Sequence, residues 1–306
     1  MRSHADIYET TLLEFRDHLK LERSMSPNTV SAYLSDVRLY FQNLRDCGVD
    51  PADASIDDIS RFLEERVEAG VTKRSQARIT SSLKALYRFL DAEGRLTDNP
   101  CDKLSVPKLN PYLPTVLSVE EVLAILDSVD LSRPEGHRNR AILEVLYSCG
   151  LRVSELVNLK ISDLFLDEQF IRVFGKGSKQ RLVPIGEPAI KAIGLYRQVR
   201  DAGPVSKSAE DILFLNRRGS KMTREMVFHI VKEQAEAAGI RKNVSPHTFR
   251  HSFATHLVEN GADLRVVQEM LGHESILTTE IYTHIDTRKW QETILKYHPS
   301  RDLPEN

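Results

Sequence analysis

The chain has 306 residues, with 42 Lys and Arg against 44 Asp and Glu and a formal net charge of −2. At roughly 150 residues per domain that length predicts two domains. With 41% hydrophobic and 28% charged residues the composition is ordinary for a globular protein and excludes collagen-like, disordered and coiled-coil classes. No apolar run approaches the ~18 residues of a membrane span, and the opening MRSHADIYET lacks the apolar stretch of a signal peptide. Cys47, Cys101 and Cys149 are odd in number and lack metal-ligand spacing, so neither a disulfide framework nor a zinc finger is expected. No membrane association and a cytoplasmic location are expected. A near-neutral charge gives no global sign of a nucleic-acid partner, which must be argued from local charge.

The first third of the chain reads as helices only. Leu12, Phe15 and Leu19 form one stripe over residues 5–22. Ser26-Pro27 is an N-cap followed by proline at the first helical position, and Val30, Tyr33, Leu34, Val37, Tyr40, Phe41 and Leu44 follow at three-four spacing up to Gly48. Ser55 opens a third helix with Ile59, Phe62, Leu63 and Val67, and a fourth over 72–92 turns Ile79, Leu83, Leu86 and Leu90 inward. Four amphipathic helices make a small bundle. The fourth also carries Lys73, Arg74, Arg78, Lys84 and Arg88 among Ser75, Gln76, Thr80, Ser81 and Ser82, with no acid before Asp91. Such a helix suits phosphate contacts in a DNA groove, or is simply a solvated face.

Pro107, Pro111 and Pro114 then interrupt helical continuity and set a boundary: a helical domain over 1–107, a linker over 108–117, and a second domain over 118–306. Ser118 to Glu121 is a capping box, and a helix over 139–148 closes at Gly150. The β-rich runs 170–174 and 181–185 flank GKGSKQ, a hairpin with a flexible basic tip. A short strand is expected over 212–215, then helices near 223–238, 246–259, 263–271, 275–283 and 287–297.

Ser245-Pro246 sets the register of PHTFRHSFATHL, burying Phe249, Phe253 and Leu257 and placing His247 and Arg250 side by side in the first turns of the helix. An imidazole and a guanidinium at a helix N-terminus form a good anion clamp, or merely cap and pair on the surface. His247, His251, His256 and His273 also invite a metal reading, but no carboxylate is placed as a ligand and Arg250 would repel a cation, so no metal and no cofactor is expected. Gly272 ends a helix before His273, and Tyr282 follows nine residues later among polar neighbours. On its own it reads equally as a half-buried core tyrosine.

Taken together and in this order, GLRVSELVNL, GKGSKQR, PHTFRHSFATHL, LGHESILTTEIYTH and the final YHPS resemble the tyrosine site-specific recombinases, most of all the bacterial Xer recombinases of chromosome dimer resolution. SPNTVSAYLSDVRLY and DNPCDKLSVPK extend the likeness over nearly the whole chain, and ENGADLRVVQEMLGH resembles one Xer subtype more than the other.

The resemblance implies a mainly α protein: a helical-bundle N-terminal DNA-binding domain and an α-rich catalytic domain with a small antiparallel β-sheet. It makes Arg152 and Arg250 the phosphate clamp, Lys176 the mobile hairpin lysine, and His247 the partner of Arg250 in His-x-x-Arg. It makes His273 a phosphate ligand and Tyr282 the nucleophile that forms a 3′-phosphotyrosyl link with DNA. Its implied partners are double-stranded DNA at a dif-like site, a second Xer recombinase in a heterotetramer or further copies of this chain in a homotetramer, and an FtsK-type DNA translocase. It also implies that the C-terminal helix, through Trp290, Ile294 and Leu295, lodges in a neighbouring protomer. The rival readings are an integrase of a phage or transposon, with the same chemistry, a regulator that keeps the fold without catalysis, and a type IB topoisomerase, whose N-terminal half would differ.

Overall fold

A computed structural model describes residues 4–102, 104–105, 115–175, 180–272 and 284–299, and for 4–6, 284–289 and 291 the backbone alone. The chain divides into two compact units, Met1–Tyr112 and Leu113–Asn306, each with its own core.

In the first unit α1 (His4–Asp17) runs into a π-helical turn (His18–Glu22), followed by α2 (Pro27–Cys47), α3 (Ile56–Glu68) and α4 (Lys73–Ala92). The Ser26 and Thr72 hydroxyls accept from backbone N–H groups three residues on, and Ser55 completes a capping box with Asp58, so each helix start satisfies donors that the helix itself leaves unpaired. The expected stripes meet in one core around Phe15, Val37, Tyr40, Ile59, Phe62, Leu83 and Leu86, where the Tyr40 and Tyr87 hydroxyls pair at 2.7 Å. Val67 does not join it but is exposed. Five residues beyond Phe62, it lies roughly 140° away from it around the helix.

The second unit builds on α6 (Gly136–Cys149), buried from Ala141 to its end at Gly150. Around it lie α5 (Val119–Asp127), the short α7 (Val153–Val157), α8 (Glu187–Ala202), α9 (Arg224–Ala237), α10 (Pro246–Glu259), α11 (Leu264–Leu271) and α12 (His284–Tyr297). A three-stranded antiparallel sheet, β1 (Leu164–Phe165), β2 (Phe170–Phe174) and β3 (Gln180–Pro184), pairs Ile171 with Val183 and Val173 with Arg181. The fold is mainly helical with a small antiparallel sheet, as expected. The strand expected over 212–215 is absent; the segment makes single bridges, Lys160 to Ile212 and Leu215 to Lys221, while Leu213, Phe214 and Leu215 fill the core. The hairpin tip 176–179, most of the linker and the helix expected over 275–283 lie outside the described residues. No helix among the described residues is long and apolar enough to cross a membrane.

Two anchors tie the ends of this unit to α10. Leu117 donates its backbone N–H to Ser252 Oγ at 2.9 Å, and its carbonyl accepts from His256 Nε2 at 2.8 Å. That carbonyl has no proton to give, so Nε2 carries the hydrogen and His256 Nδ1 accepts from the Tyr147 hydroxyl at 2.9 Å. At the other end α12 docks on its own unit, against α10 and β3. Trp290 and Ile294 enter the core, and His298 is buried with its ring 4.8 Å from that of Tyr147. Leu295, which sequence spacing groups with them, is exposed. In the single chain the helix covers the core of its own unit, where burying Trp290 is worth about 2–3 kcal/mol.

Candidate active site

The site grows from three helix ends. Helix α6 stops at Gly150, whose left-handed φ of 56° turns the chain sharply; a Cβ there would lie 2.5 Å from the Phe253 ring. The turn buries Leu151 and delivers Arg152 in extended backbone as the residue before α7. Glu155 reaches back to the Arg152 N–H at 2.8 Å and takes a hydrogen bond from Arg152 Nη1 at 3.0 Å.

Helix α10 begins as the sequence predicts, with Ser245 capping Thr248 and Pro246 at the first position. Phe249, Phe253 and Leu257 are fully buried, and Arg250 is drawn in with them, whereas His247 is exposed. Arg250 donates to the Gly150 carbonyl and the Leu271 carbonyl, each at 2.6 Å. Burial, with Arg152 and Arg181 nearby, lowers its guanidinium to about 10.

Helix α11 ends at Gly272, left-handed at φ 65°. Its last two carbonyls and that of Gly272 each receive one arginine: Met270 from Arg181 Nε at 3.0 Å, Leu271 from Arg250, and Gly272 from Arg152 Nη2 at 2.8 Å. Cations at a helix C-terminus are favoured by its unpaired carbonyls and dipole. Arg181, on β3, also forks onto Glu155, with Nη1 to Oε1 at 2.7 Å and Nη2 to Oε2 at 2.9 Å. Burial would raise the Glu155 carboxyl, but Arg181 first and Arg152 second hold it below the usual carboxylate range.

Of the six residues expected to do chemistry, Arg152 and Arg250 converge on the end of α11 and His247 stands one turn from Arg250. Lys176, His273 and Tyr282 lie outside the described residues. Sequence reasoning misses Arg181 and Glu155. The signal for Arg181 lies in strand alternation: with alternate strand residues on one face, Val183 pointing inward puts Arg181 inward as well, where a charge requires a partner. Among the described residues no three His, Cys, Asp or Glu side chains converge as a metal site.

On α4, Lys73, Arg74, Arg78 and Arg88 are exposed and Lys84 is half-buried. Arg78, however, pairs with buried Asp36 at 2.6 Å, joined there by Ser82 Oγ at 2.8 Å. Thr80, Ser81 and Ser82 return their hydroxyls to carbonyls four residues back, and Thr80 and Ser82 are buried. These hydroxyls satisfy the helix and its packing instead of facing a ligand, which narrows the basic face to its cations.

Residues 12–94 match the family model for the phage integrase N-terminal SAM-like domain, and residues 115–289 that of the phage integrase family. The chain belongs to the phage integrase family, the tyrosine recombinases, enzymes that cut and rejoin DNA strands. It is 46% identical to the tyrosine recombinase XerD of Chlorobaculum tepidum over 302 residues, 98% of this chain and 99% of that one. It is 43% identical to the XerD of Pseudomonas putida over 286 residues, 94% and 96% of the two chains. A solved XerH site-specific recombinase bound to difH substrate in a pre-cleavage complex is 26% identical, with a TM-score of 0.66 over 95% of this chain and 84% of that one.

Proposed function

We propose that this enzyme recombines a short dif-like DNA site and so resolves chromosome dimers in the cytoplasm of a dividing cell. It would act in a tetramer with a second Xer recombinase or with its own copies, under an FtsK-type translocase. The relatives named XerD support this reading, as does the difH complex of a structural neighbour. The units carry the division of labour: Met1–Tyr112 grips DNA through Lys73, Arg74, Lys84 and Arg88, with Arg78 partly committed to Asp36, and Leu113–Asn306 does the chemistry.

The observation that carries the mechanism is the convergence of Arg152 and Arg250 beside the segment that leads to His273 and Tyr282. Attack by the Tyr282 phenolate on a phosphodiester forms the Tyr–O–P bond and breaks the bond to the 5′-oxygen, with extra negative charge on the nonbridging oxygens. Two guanidinium groups suit that charge, and donors of this kind are commonly worth ~3–4 kcal/mol each at comparable anion sites. His247 takes the phenol proton, Lys176 delivers one to the leaving 5′-oxygen, and His273 binds the phosphate. The phosphotyrosyl link conserves the bond energy, so religation is the same step reversed and requires neither ATP nor a cofactor.

The test is a nicked suicide duplex carrying the site that the chain selects from a randomised pool. Wild type should form a covalent adduct and Tyr282→Phe should bind the duplex without forming one. An adduct with Tyr282→Phe would refute the assignment of the nucleophile.

A further inference from the structure

We propose that Arg181 is a positioning residue of the recombination site, and that its task is to neutralise Glu155 so that the positive charge of Arg152 and Arg250 is left uncompensated for the reacting phosphate. The inference rests on the assignment of those two arginines to the phosphate.

Glu155 anchors Arg152 through both the backbone N–H and the guanidinium, and its side chain is almost wholly buried. A carboxylate beside a phosphate site is a liability, because it repels the ligand and cancels the cation that it orients. Arg181 removes the conflict. Its fork takes both Glu155 oxygens, at 2.7 and 2.9 Å, so Arg152 spends a single side-chain hydrogen bond there and sends its other arm to Gly272. Three guanidinium groups against one carboxylate leave this cluster a net charge of +2. A phosphodiester carries one negative charge, and attack by a phenolate raises it to two in the transition state. The cluster therefore matches the transition state better than the ground state, which is the condition for accelerating the chemical step. Without Arg181 the cluster would fall to +1, and buried Glu155 would draw Arg152 into a full ion pair.

Placement strengthens the argument. Arg181 is fixed on β3, directly after the hairpin that carries Lys176, and its Nε also holds the Met270 carbonyl on the helix that ends just before His273. One buried side chain thus ties both approaches to the site to a single carboxylate.

The charge argument predicts a rescue that a merely structural role would not produce. Single-turnover cleavage of the nicked duplex and DNA affinity are measured with the full chain. Arg181→Met should bind DNA within about twofold of wild type but cleave about 10- to 100-fold more slowly, a smaller loss than removal of a direct donor. Adding Glu155→Gln restores the +2 charge while keeping an acceptor for the Arg152 N–H, and should recover most of the rate. Arg181→Lys keeps the charge and should cleave within about fivefold of wild type. A wild-type rate for Arg181→Met, or a double variant no faster than Arg181→Met, overturns the proposal. If the Met variant does not fold, the Lys variant decides, since a folded Arg181→Lys protein 100-fold slower than wild type is equally fatal. Absence of any adduct with wild type would instead reject the proposed function and is seen in the same experiment.

Discussion

Protonating His298 should release the C-terminal helix. His298 follows α12 directly, its backbone N–H held by Ile294 and its Nε2 directed at the Tyr147 carbonyl at 3.3 Å, with the rings of Tyr147 and Phe253 against it. Burial, reinforced by the nearby His256, lowers its imidazole from 6.5 to about 4. Above pH ~6.5 the ring is neutral whether the helix is docked or free. As pH falls from there toward 4, only the free helix takes up the proton, so docking weakens through that window and changes no further below it. The full difference corresponds to roughly 3 kcal/mol, of which about 2 kcal/mol is lost by pH 5. Trp290 is the only tryptophan in the chain and is buried by the same docking, so its emission reports the event directly. Urea titrations followed at Trp290 should show the undocking free energy falling by about 2 kcal/mol between pH 7 and pH 5. The same shift should be under about 0.5 kcal/mol in His298→Leu. The other titrating groups are common to both proteins and cancel in the comparison. An equal pH dependence in the two proteins would refute the reasoning.

Gly150→Ala should destabilise the second unit by about 2–4 kcal/mol, from the left-handed backbone and the clash with Phe253, and should slow cleavage by displacing a carbonyl that holds Arg250; a urea melt and the suicide-substrate rate check both. Cleavage should persist in excess EDTA, because Arg152 and Arg250 supply positive charge at the phosphate; loss on chelation with recovery on adding Mg²⁺ would contradict that. Replacing Arg74 and Lys84 with Ala should lower the salt dependence of DNA binding, by ~0.9 in slope for each phosphate no longer neutralised, without altering the cleavage rate of bound DNA. Arg78→Ala should also cost stability, since it strands buried Asp36, and thermal melts of the variants separate the two effects.

What can be read from sequence is local. Ser26, Ser55, Ser118 and Ser245 mark helix starts because capping is decided within four residues, and the apolar stripes of α2 and α4 follow from periodicity alone. Arg152, His247 and Arg250 are legible through family motifs. Partnerships between distant segments are not. Whether Arg78 faces a ligand or Asp36 depends on a residue 42 positions away, and whether Arg181 is surface or core depends on Glu155, 26 positions away. The docking of α12 belongs to the same class, because its apolar stripe fits an acceptor in cis or in trans equally well. Helix α8 is an exception, a local element missing from the sequence reading, as the short α7 and β1 are, although Gly186-Glu187-Pro188 opens it and Ile190, Ile193 and Tyr196 recur at helical spacing.

The clip at Leu117 gives the second unit a mechanical property. Both backbone polar groups of this residue are held by α10, through Ser252 and His256, one helical turn apart. The two hydrogen bonds lie side by side on one helix and share any load, so neither peels away ahead of the other. Tension along the connecting chain would therefore reach the helix that carries His247 and Arg250, shared there with the Lys242 hydrogen bond to the Val116 carbonyl and with the buried side chain of Leu117 itself.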